Sequence, residues 1–201
     1  MSLVENTRKK KLEAGGFVAA LSVVHWRGVN AASLAKECGF DWLFIDLEHN
    51  SMNLDTVAQI CVAALPTGIT PIVRVPSHEA FHATRVLDAG AMGIVVPHVN
   101  SADEARALVR HSKYPPLGSR SLTAPLPQLS YATPSTAEAL ELLNQNTLLI
   151  VMLETPAAIA QADAIAAVPG IDALMIGTAD FTAEMGIPGP WANATNDNHS
   201  F

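Results

Sequence analysis

A chain of 201 residues, 49% hydrophobic and 15% charged, has the composition of one ordinary globular domain and not that of a disordered polymer. Its formal net charge of −7 argues against nucleic acid as a principal partner, because phosphate recognition needs clustered Lys and Arg. No apolar run approaches the roughly 20 residues that cross a bilayer, so no membrane partner is expected either.

The chain opens with Arg8-Lys9-Lys10-Lys11, followed by Glu13, which reads as a solvated helix. The next apolar run, FVAALSVV (17–24), gives this region a superficial likeness to a signal peptide. Two glycines and Glu13 intervene, however, and no small-residue cleavage site follows, so a cytoplasmic protein is expected. That run reads as a first strand, with His25 and Trp26 at its end. A second, WLFIDL (42–47), stops abruptly in Asp46, Glu48 and His49. PIVRV (71–75) carries Arg74, and the helix after it runs to Asp88 and Gly90. GIVVPHV (93–99) places His98 near a strand tip as an outer group of the rim. Ser101-Ala-Asp-Glu104 is a capping box opening a helix to Lys113. After the loop Tyr114-Pro-Pro-Leu-Gly, GSRSLT (118–123) offers a weak further strand. LLIVML (148–153) leads into Glu154, and Thr155-Pro156 starts a helix closed by Gly170. ALMIG (173–177) leads through Ala179 to Asp180. Beyond Gly186 the residues are polar and Asn-rich, leaving no eighth strand; the tail 189–201 is atypical, and its sequons at Asn193 and Asn198 read as chance.

Short, continuously apolar runs alternating with amphipathic segments imply strands buried on both faces of a parallel sheet, joined by helices. No GxGxxG or GxxxxGK[ST] follows the first strand, so no nucleotide cofactor is expected. Polar residues at several C-terminal strand tips favour a (β/α)8 TIM barrel as a single domain over residues 1–201, its last strand and helices missing or replaced. Cys38 and Cys61 lack CxxC spacing and read as buried, reduced thiols within helices.

Asp46, Glu48, His49, Arg74, Glu154 and Asp180 would then share one rim. Each alone is more simply a cap, an ion-pair partner or a loop residue; together they describe a hard-metal oxyanion site. Glu154 and Asp180 as oxygen ligands suit Mg²⁺ or Mn²⁺, with Co²⁺ next. His78 and His82 sit at i, i+4 on a helical face but have no third ligand nearby. Lysines occur only at 9, 10, 11, 36 and 113, in helical or loop segments, so neither substrate imines nor PLP chemistry is expected.

FDWLFIDLEHN, PIVRVP, VLDAGAMGIVVPHVNSADEA, YPPLGSRS, VMLETPAAI and IDALMIGTADFTAEMG run in one order over roughly residues 5–188. In combination they resemble the HpcH/HpaI aldolase family of metal-dependent pyruvate aldolases, which are built on a (β/α)8 barrel of the phosphoenolpyruvate/pyruvate type. The resemblance implies Glu154 and Asp180 as metal ligands. It implies Gly177, Ala179 and Asp180 around the pyruvate carboxylate, with the Ala179 and Asp180 amides bonding it. Arg74 would bond the keto oxygen, and His49 would be the acid/base group, with Asp46 and Glu48 orienting it and nearby waters. It also implies that Asp88 pairs with the catalytic His of a neighbouring subunit, in a homo-oligomer (hexamer or trimer) with shared sites. The implied reaction is reversible cleavage of a 4-hydroxy-2-oxo acid to pyruvate and an aldehyde through a metal-bound pyruvate enolate. The rivals are oxaloacetate decarboxylation at the same site and an inactive, truncated relative acting as a subunit module. Two features depart from the family: Met152 stands where many members carry Gln, and the tail from Pro190 does not resemble the family's continuation.

Overall fold

The computed structural model describes residues 5–123 and 125–187; the tail 189–201 and its sequons lie outside them. In chain order the elements are α1 (Thr7–Glu13), β1 (Ala20–Val23), α2 (Ala31–Glu37), β2 (Trp42–Asp46), α3 (Leu54–Ala64), β3 (Thr70–Arg74), α4 (Ala80–Asp88) and β4 (Gly93–Val96). They continue with α5 (Ala102–Ser112), α6 (Thr136–Asn146), β5 (Leu148–Leu153), α7 (Pro156–Ala160), α8 (Ala162–Ala166), β6 (Ala173–Ile176) and α9 (Thr178–Glu184). The strands form one curled, wholly parallel sheet in the order β1-β2-β3-β4-β5-β6. β1 and β6 are its edges, so the described residues form a six-stranded half-barrel; the missing eighth strand was expected, but the weak seventh is not formed either.

Alternation along each strand divides the core in two. Leu43, Ile45, Val73, Ile94, Val96, Leu149, Val151 and Leu153 pack with the helices into the larger cluster. Trp42, Ile72, Val95, Leu148, Ile150 and Met152 form the second cluster on the concave face, joined by Phe44, Ala173 and Met175. Both faces of β2 to β5 are thereby buried, which is why those runs are continuously apolar, while the edge strands β1 and β6 stay partly exposed. Met152 is therefore a packing residue of the interior, 5% exposed.

Four local expectations are corrected. GSRSLT is irregular, because β4 pairs directly with β5 (Gly93↔Leu148) and leaves no gap for a strand. Instead the Ser119 and Arg120 amides bond back to Arg110 O and Lys113 O, at 2.8 and 3.0 Å. The basic cluster is not simply solvated. Lys9 is buried and pairs with Asp172, which also takes Lys113 Nζ at 3.1 Å and the Leu149 amide at 2.7 Å. This carboxylate anchors α1 and the end of α5 to the strand starts. Cys38 caps α2 and is exposed, whereas Cys61 is buried in α3, where burial pushes its thiol pKa far up. His78 precedes α4 and bonds Pro97 O at 2.7 Å, while His82 stacks on Phe81, so the two do not share a helical face.

Candidate active site

Period-two alternation carries the concave face of each strand up to its C-terminal tip. Asp46 follows Trp42 and Phe44, Arg74 follows Ile72, Glu154 follows Ile150 and Met152, and Gly177 follows Ala173 and Met175. The register then levels them: Asp46 is the direct partner of Arg74 across the β2–β3 ladder. The polar tips thus converge where the apolar interior ends.

Arg74 grips Asp46 bidentately, Nε donating to Oδ1 at 2.9 Å and Nη2 to Oδ2 at 2.5 Å. Its Nη1 lies 3.0 Å from Glu48 Oε2, and its guanidinium sits 5.6 Å from the Phe44 ring centroid. Burial opposes ionisation of Asp46, but hydrogen bonds from Arg74 and from the Glu48 and His49 amides outweigh it and hold the carboxyl below its ordinary range. Burial likewise opposes the charge on Arg74, yet Asp46, Glu48 and Glu154 together raise its pKa further. Asp46 Oδ1 also accepts from the Glu48 amide at 2.9 Å, shaping the turn that presents Glu48 and His49.

Glu154 is 3% exposed, and its Oε2 accepts the His98 amide at 2.6 Å. His98 has a left-handed backbone, φ 57°. Such a φ outside glycine costs on the order of 1 kcal/mol and gathers at functional sites. The His98 ring bridges two acids, Nδ1 lying 3.0 Å from Glu154 Oε2 and Nε2 lying 3.2 Å from Glu48 Oε1. Expected only as an outer group, His98 is the piece that joins the Asp46–Arg74–Glu48 corner to Glu154. Its signal in the sequence was the lone polar residue after Pro97 in GIVVPHV.

Gly177 supplies space. A Cβ there would lie 2.4 Å from Glu154 Cγ and 2.6 Å from Oε1, so the carboxylate occupies the volume a side chain would need. Asp180 is exposed in the first turn of α9, on the strand end beside that of Glu154. His49 lies on the loop after β2, its side chain 64% exposed, with Nε2 3.7 Å from Glu48 Oε2. Asp88 is not brought to this rim. It ends α4, which leads into the start of β4 at the opposite end of the sheet, and it pairs there with Arg120 Nη2 at 2.5 Å.

The donor set suits a hard divalent ion. Among the described residues no three His, Cys, Asp or Glu side chains converge to hold a metal unaided. Two carboxylates on adjacent strand ends, with the other positions left to water and substrate oxygens, are what Mg²⁺ commonly uses.

Comparison with known proteins shows the family. The family model for HpcH/HpaI aldolase/citrate lyase matches residues 22–193. A 4-hydroxy-4-methyl-2-oxoglutarate aldolase of Hapsidospora irregularis is 40% identical over 94% of this chain and 71% of its own length. An enzyme of the same name from Chaetomium globosum is 40% identical over 89% of this chain and 67% of its own. The crystal structure of an HpcH/HpaI aldolase from Desulfitobacterium hafniense superposes with a TM-score of 0.86 at 31% identity, over 90% of this chain and 70% of that one. The chain belongs to the HpcH/HpaI aldolase/citrate lyase family and is a carbon–carbon lyase.

Proposed function

We propose that this chain is a divalent-metal-dependent aldolase that reversibly cleaves a 4-hydroxy-2-oxo acid into pyruvate and an aldehyde or related carbonyl compound. The observation that carries the reading is the unbroken contact chain Asp46–Arg74–Glu48–His98–Glu154 at the strand tips, which sets a fixed cation beside a buried carboxylate. Glu154 and Asp180 are the residues that would hold the metal, assisted by the room that Gly177 leaves. The bound ion supplies Lewis-acid polarisation of the 2-oxo group.

The remaining work belongs to the chain. Ala179 and Asp180 open α9, where first-turn amides lack intrahelical acceptors and can bond the substrate carboxylate. Arg74, held on three sides by Asp46 and Glu48, turns its remaining N–H groups to the keto oxygen and stabilises the negative charge that develops there. His49 takes the proton of the C4 hydroxyl as the C3–C4 bond breaks, and its electron pair becomes the pyruvate enolate; protonation at C3 completes the cycle. Glu48 orients His49. Asp88 lies too far along its own chain to help, so its pairing with His49 requires a second copy, in a homo-oligomer with shared sites.

The test is deuterium exchange into the methyl group of pyruvate, followed by NMR with and without Mn²⁺. Glu154→Gln should abolish the metal-dependent exchange, and a variant that still exchanges at the wild-type rate refutes the ligand assignment.

A further inference from the structure

Arg27 stands apart from the other charges of the rim. The segments that follow the strands at the C-terminal end, residues 24–30, 47–53, 75–79, 97–101, 154–155 and 177, contain one Lys or Arg in all, and it is Arg27. Its Nη2 donates to Ser51 Oγ at 2.9 Å and its Nη1 to His25 O at 3.0 Å, which fixes the guanidinium beside the loop that carries His49. Five N–H donors leave several of these unused. Among the described residues no carboxylate lies within ion-pair distance of Arg27. Arg74, in contrast, is taken up by Asp46 and Glu48. With Asp46, Glu48, Glu154 and Asp180 at the same end, the rim is acidic, and Arg27 offers the uncommitted positive charge.

We propose that Arg27 binds a second carboxylate on the carbonyl half of the substrate and so selects dicarboxylic 4-hydroxy-2-oxo acids. The inference rests on the aldolase reading above. His49 serves the C4 hydroxyl in that reading, and Ser51, two residues on, holds Arg27, so the substituents on C4 extend toward this guanidinium. Pyruvate or another 2-oxo acid would then be the carbonyl product, in preference to a neutral aldehyde. A planar fork meeting a carboxylate is the geometry in which Arg binds most strongly.

The experiment compares kcat/KM for 4-hydroxy-4-methyl-2-oxoglutarate and for monocarboxylic 4-hydroxy-2-oxopentanoate, with release of pyruvate read by a coupled lactate dehydrogenase. Wild type, Arg27→Met and Arg27→Lys are measured with Mn²⁺. The ratio of the two constants is internal to each variant, so incomplete folding cancels. Losing a charge-assisted pair predicts that Arg27→Met lowers the ratio about 10- to 100-fold, chiefly through KM of the dicarboxylate, with partial recovery in Arg27→Lys. An unchanged ratio, or an equal loss for both substrates, overturns the assignment of Arg27. A wild-type protein that cleaves neither substrate refutes the underlying aldolase reading, a result that no property of Arg27 can produce.

Discussion

Replacing Gly177 with Ala tests the site through a residue that carries no chemistry. The added methyl carbon would sit 2.4 Å from Glu154 Cγ and 2.6 Å from its Oε1, where ordinary contact is 3.4–4 Å. The carboxylate must therefore retreat by about 1 Å, given a carbon–carbon contact distance of 3.5–4.0 Å. It cannot do so freely, being 3% exposed and bonded to the His98 amide at 2.6 Å. A shift of that size breaks or badly lengthens this bond and moves the carboxylate from any ion it shares with Asp180. Overpacking of this kind costs about 1–3 kcal/mol of stability. A misplacement of about 1 Å in a reacting constellation costs on the order of 100-fold in rate. The assay is pyruvate methyl exchange, together with Mn²⁺ affinity by calorimetry and unfolding in urea. Exchange down about 100-fold, weakened Mn²⁺ binding and a fold that still unfolds cooperatively are expected. Wild-type Mn²⁺ affinity and exchange rate in a folded Gly177→Ala protein would show that the Glu154 carboxylate is not where the chemistry happens.

Asp46→Asn should cost about 3 kcal/mol in urea titrations, the scale of breaking a buried ion pair, since Arg74 keeps only Glu48. The pH dependence follows with a definite sign. Asp46 is held below its ordinary pKa, so its contribution is complete above about pH 3.9 and is lost as acid takes the pH below that value. The variant should show a flatter acid limb of stability than wild type; an identical limb would count against the pairing. His98→Gly keeps the amide bond to Glu154 and relieves the left-handed φ, whereas His98→Ala keeps neither the ring nor an easy backbone. Thermal melts should therefore place the Gly variant above the Ala variant by about 1 kcal/mol, and the reverse order would contradict the strained backbone. Asp172→Asn leaves buried Lys9 with Glu13 alone and buried Lys113 with the carbonyls of Thr147 and Asn144, and should destabilise by about 3 kcal/mol in the same assay. A loss below about 1 kcal/mol would mean that these lysines are solvated after all.

The sites where reading the chain failed share a physical cause. Lys9 looks like one member of a solvated basic run, yet it is buried because α1 folds under the strand starts and Asp172 needs a partner there. GSRSLT offers a weak further strand, but the β4–β5 ladder closes without it and its amides bond to the end of α5 instead. His98 carries no periodic signal, since its role rests on a left-handed φ and on two carboxylates that come from β2 and β5. Asp88 is no such failure: it lies beside Arg120 at the end of α4, at the far end of the sheet, as its place before the fourth strand leads one to expect.

Local chemistry alone determined much of this protein. Continuously apolar runs joined by capped helices imply parallel strands buried on both faces, and the polar residues that end those runs already name Asp46, Arg74 and Glu154 as strand-tip groups of one rim. Those are consequences of backbone geometry and survive any change of neighbours. Which groups touch was decided only in three dimensions. The register that sets Asp46 against Arg74, the Gly177 gap filled by Glu154, the His98 bridge and the guanidinium of Arg27 held by Ser51 all join residues from different strands and loops. Distances of that kind depend on how the whole sheet curls, and no short stretch of sequence contains them.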